Sequence, residues 1–142
     1  MGKADGIEFG ARLDTGVYSI IIPLHCSVEL DEEAISLSSE SDDIAINISY
    51  REAISGEANM NAAIHLDAYL HSENSSASRV LKRSPVLAHA EYTDVSSNRR
   101  WQVAFHSQPP YLVFITLTSD VNVRNGEAQA YLASFNSLRV KP

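Results

Sequence analysis

"RRWQVAFHSQPPYLVFITLTSD", residues 99–120, holds the only Trp, two of the four Phe and the only Pro-Pro pair of the chain. Its reading decides the fold, because two alternating apolar runs stand either side of a short break. Residues 99–107 and 111–120 each repeat with period two, as half-buried strands do. Pro109 and Pro110 have no amide to give to a ladder, which assigns "QPP" (108–110) to the connecting loop. With three residues in that loop, Ser107 stands opposite Tyr111 and Phe105 opposite Val113.

Upstream, "VLAHAEYTD" (86–94) is a third strand joined through the turn "VSSN" (95–98). That turn sets Asp94 against Arg99, His89 against Ala104 and Glu91 against Gln102. One face of the three strands then carries Val86, Ala88, Ala90, Tyr92, Trp101, Val103 and Phe105, with Val113, Ile115 and Leu117. This is a core face, to be covered by a helix. The other face carries Leu87, His89, Glu91, Arg100, Gln102, Ala104 and His106, with Leu112, Phe114, Thr116 and Thr118. It mixes apolar and hydrogen-bonding side chains. Such a face is either the second side of a sheet under another helix or a surface that receives a partner segment.

Further out, "VYSIII" (17–22) alternates and stops at Pro23, and "SVEL" (27–30) with "AISLSS" (34–39) reads as strand, turn, strand. In "DIAINISYR" (43–51), Ile44, Ile46, Ile48 and Tyr50 share one face. Strand signals resume at "RVLKR" (79–83). Between them "ANMNAAIHLDAYLHS" (58–72), rich in Ala and Leu without Gly or Pro, favours a helix. The chain closes on "EAQAYLASFNSLRV" (127–140), where Ala128, Tyr131, Leu132, Phe135 and Leu138 form one helical stripe. Meandering strands with short connections define an α+β protein: an antiparallel sheet of about six or seven strands flanked by two main helices. Residues 1–16 read as a flexible N-terminal segment and 17–142 as a single domain, with Trp101, Phe105, Ile46 and Phe135 in one core.

Composition excludes several functions. The chain has 142 residues, 44% hydrophobic and 20% charged, a globular balance. No apolar run nears the roughly 18 residues of a membrane span, and the first residues lack the apolar stretch of a signal peptide. A formal charge of −7 and no visible basic face argue against nucleic acid. A single cysteine, Cys26, permits no internal disulfide and suits the reducing cytoplasm.

Catalytic signatures are sparse. No strained Gly-x-Ser-x-Gly elbow and no glycine-rich phosphate loop occurs. His65 and His71, six apart, turn to different sides of a helix and make no zinc pair. His89, Glu91 and His106 share a strand face, so a small-ligand or metal-dependent enzyme built on these three is the competing reading. Strand alternation alone brings them together, and neither a cofactor nor a bound metal is expected.

The order of elements resembles the PsbP-like superfamily, which includes small bacterial proteins of unknown function and the effector-associated (Eag) chaperones of type VI secretion. Three places carry the likeness: the opening strand ending in proline, "YSIIIP" (18–23); the paired long strands with "ITLTS" (115–119); and the closing helix "AYLASFNSLRV" (130–140). It covers roughly residues 17 to 141. Where these families follow the opening proline with a Gly- or Asp-Trp pair, Leu24-His25-Cys26 stands here. The resemblance implies a non-enzymatic protein-binding module, a secretion chaperone or adaptor, acting as a homodimer that shelters hydrophobic helical segments of a partner protein. The matching surface is the mixed sheet face: Gln102, Ala104, His106, Leu112, Phe114 and Thr116.

Overall fold

The computed structural model describes residues 9–31, 34–41, 43–53, 60–72, 78–94, 96–123 and 125–141. A seven-stranded antiparallel sheet runs in the order β3 (Ser27–Leu30), β4 (Ala34–Ser38), β5 (Ile44–Glu52), β9 (Tyr111–Asp120), β8 (Arg99–Gln108), β7 (Leu87–Asp94), β6 (Arg79–Arg83). Helix α1 (Ala62–Ser72) lies on one side of it and helix α2 (Asn125–Asn136) on the other. The class is α+β, as the alternation implied. Asn61 fixes the start of α1, its side-chain oxygen accepting the amides of Ala63 and Ile64 at 2.9 and 3.2 Å. The first two residues of the expected helix, 58 and 59, lie outside the described residues.

A second sheet of three strands, β1 (Arg12–Asp14), β2 (Tyr18–Ile21) and β10 (Arg139–Val140), packs beside α2. It corrects two expectations. Residues 12–14, assigned to a flexible segment, form a strand against β2, and residues 139–140 leave the closing helix to pair with Ser19 and Tyr18. Strands of two and three residues are too short to show a period. Ser134 donates from its hydroxyl to the Ile21 carbonyl at 2.5 Å, and the Ile21 amide donates to Ser137 Oγ at 2.9 Å, tying α2 to β2.

Strands β7 and β8 pair in the register read from sequence: Asp94 opposite Arg99, His89 opposite Ala104 and Glu91 opposite Gln102. Asn98, just before β8, stands at φ 58°, a left-handed conformation that Asn tolerates. The next connection differs. Gln108 pairs with Tyr111, so only Pro109 and Pro110 form the turn, and the peptide between them is cis. Ser107 therefore stands opposite Leu112, and Phe105 opposite Phe114. A one-residue change of register moves every side chain of β9 to the other face.

Two cores result. Under α2, Ile46, Ile48, Val113, Ile115 and Leu117 pack with Tyr131, Phe135 and the β2 residues Tyr18 and Ile20. Under α1, Ala88, Ala90, Val103, Phe105 and Leu112 pack with Ala62, Ala63 and Leu66. Phe105 thus lies on the opposite side of the sheet from Ile46 and Phe135, and Trp101, only half-buried, stacks on Tyr92 on the α1 side. Val86, expected in the core, is exposed.

Candidate binding groove

The six residues of the expected sheet surface separate. Gln102, Ala104 and His106 face α2, with Ala104 buried in that core. Leu112, Phe114 and Thr116 face the α1 side, where Leu112 is buried and Phe114 packs against the α1 core. Tyr69 of α1 sits over Phe114 with ring centroids 5.2 Å apart, and Phe105 stacks on it at 4.5 Å. The place assigned to a partner's apolar helix on this face is thus held by the chain's own helix. Phe114→Glu should accordingly cost about 2 kcal/mol of stability, since it puts an unpaired carboxylate among apolar rings. Chemical denaturation of the variant measures this, and an unchanged midpoint would place Phe114 outside the core.

The histidine and carboxylate set does not converge on a common point. His89 Nε2 lies 2.6 Å from Gln102 Oε1, and the His89 ring packs on Phe135 with centroids 5.2 Å apart. Glu91 turns instead toward Arg79, at 3.7 Å. Burial, and then the neighbouring His89, pushes His106 down to about 4, so it stands neutral on the α2 side of the sheet. Among the described residues no three His, Cys, Asp or Glu side chains group closely enough to hold a metal ion. Cys26 is buried and its thiol is pushed up to about 11 by that burial, the reverse of an activated nucleophile.

What the α2 side offers instead is a groove. Helix α2 lies over β9, β5 and β2, because Tyr131 and Phe135 insert there. That placement leaves open the sheet margin formed by β6, β7 and the start of β8. The resulting cavity, about 450 Å³, has Ile44 and Leu117 from the sheet and Leu132 from α2 as apolar lining. Gln102 and Gln129 add hydrogen-bonding groups, and Arg79, Glu91 and Arg100 add charge. Arg100 makes no ion pair or side-chain hydrogen bond among the described residues. Of the six residues expected to bind, only Gln102 lines this groove. Its other residues come from five strands and a helix, and only the strand order β8-β7-β6 brings Arg79 near Arg100. The signal available in sequence was the presence of basic residues in both "RVLKR" and "RRW".

This architecture is that of the PsbP-like fold. The solution structure of cyanobacterial PsbP (CyanoP) from Synechocystis sp. PCC 6803 is similar at a TM-score of 0.64, covering 99% of each chain at 10% sequence identity. A crystal structure from Bacteroides thetaiotaomicron is similar at a TM-score of 0.55 and 10% identity, over 88% of this chain and 45% of that one. At such identity the likeness is one of fold. No family model matches the sequence, and no curated protein matches it.

Proposed function

We propose that this chain is a non-catalytic protein-binding module, a chaperone or adaptor that holds a partner segment in the groove between α2 and strands β6–β8. The observation that carries this reading is the groove's lining. Apolar side chains at its base can bury part of a ligand, while two amides and the Arg100 guanidinium can fix its orientation. A nucleophile, a poised base and a ligand cluster are the parts an enzyme would add. His89 of this side is instead committed to packing on Phe135 and to Gln102.

The test is site-directed photo-crosslinking in the source cells. A photoreactive residue at Gln129, exposed at the groove, should form a discrete adduct with a partner protein. The same residue at Ser49, exposed on β5, should not. Equal labelling from both positions, or none from Gln129, would remove the groove as the binding surface.

A further inference from the structure

We propose that the segment taken by the groove is acidic and extended, and that it adds to the sheet beside β6. This rests on the groove being the binding surface. Among the described residues strand β6 ends the seven-stranded sheet, pairs only with β7, and is exposed along its whole length. Its outer backbone edge, unpaired among the described residues, can take another strand. The register decides where its side chains go. Arg79 stands opposite Glu91 and Lys82 opposite His89, both on the α2 side, whereas Arg83 stands opposite Ala88 and bonds Asp67 of α1.

On the groove side this leaves Arg79, Lys82 and Arg100 as cations, with Glu91 as the one carboxylate among the groove's lining residues. Glu91 sits 3.7 Å from Arg79, a loose pair at an exposed site, and Arg100 is unpartnered among the described residues. The chain as a whole carries a formal charge of −7, so this margin is a local reversal of sign. The β6 ladder is also bulged between Val80 and Lys82. A bulge and a row of cations deter pairing with a neutral or basic edge. A strand bearing carboxylates meets the same cations as complementary charge, so the features that reject other strands select this one.

Phage-displayed random dodecapeptides, selected on the full chain, provide the test, followed by titration of the enriched peptides, fluorescently labelled, by anisotropy. Circular dichroism first establishes that the comparison variants, R79Q/R100Q and Gln129→Phe, are folded. The enriched peptides should carry an excess of Asp and Glu among apolar residues, and slow amide exchange along Val80–Arg83. Their affinity should fall about tenfold in R79Q/R100Q, the size expected for losing two exposed ion pairs. Peptides without acidic excess, bound equally by R79Q/R100Q yet blocked by Gln129→Phe, would overturn the acidic specificity and leave the groove. Binding indifferent to both variants, or no enrichment at all, would overturn the groove reading with it. Tighter, arginine-dependent binding of a single-stranded oligonucleotide than of any selected peptide would overturn the choice of a protein segment.

Discussion

Replacing Phe135 by Ala should cost about 3–5 kcal/mol of folding stability, the usual loss for truncating a fully buried aromatic ring. Phe135 is 2% exposed and sits where α2 meets the central strands. Its ring packs against His89, so the variant also removes the wall that holds His89 toward Gln102. The neighbouring turn cannot close the gap freely, because Ser134 and Ser137 tie the end of α2 to Ile21 of β2. Denaturant unfolding gives the number directly. A loss below about 1 kcal/mol would mean that α2 does not pack on the sheet through this residue.

Acid should destabilise the fold through His106. In the unfolded chain this imidazole titrates near 6.5, and in the folded protein burial and the nearby His89 push it down to about 4. Above pH 6.5 it is neutral in both states and its contribution to stability is complete. As pH falls toward 4, the unfolded chain binds a proton that the folded one refuses, so stability drops by about 3 kcal/mol. Other groups titrate in the same interval, and comparison with His106→Leu isolates this one. Between pH 7 and pH 4.5 the wild type should lose more stability than the variant. Parallel pH dependences would show that His106 is not buried as a neutral group.

The order of elements along the chain and one of the two central registers were legible from residues alone, and the reasons differ strand by strand. Strand β7 alternates between buried Ala88 and Ala90 and half-buried Leu87, His89 and Glu91, so only one alignment with β8 keeps like with like. Strand β9 carries no such asymmetry. Leu112 and Thr116 are buried on one side, and Val113, Ile115 and Leu117 on the other. In a strand covered on both faces, period-two patterning cannot tell a two-residue turn from a three-residue one. That ambiguity put Leu112, Phe114 and Thr116 on the wrong face. It also joined Phe105 to Ile46 and Phe135 in a single core that the structure divides. The small sheet escaped notice because β1 and β10 are shorter than any periodic window. The groove escaped because its cations lie on strands separated by β7, and no spacing along the chain marks them as neighbours.

Which faces are covered, and which margin stays open beside α2, follows from Phe105 standing opposite Phe114. Cross-strand backbone NOEs between β8 and β9 in isotopically labelled protein test this most directly. The structure requires contacts linking Phe105 with Phe114, Ser107 with Leu112 and Gln108 with Tyr111. Contacts linking Phe105 with Val113 and Ser107 with Tyr111 would restore the three-residue loop. They would turn Leu112 and Phe114 back toward the α2 side and contradict the division of the two faces.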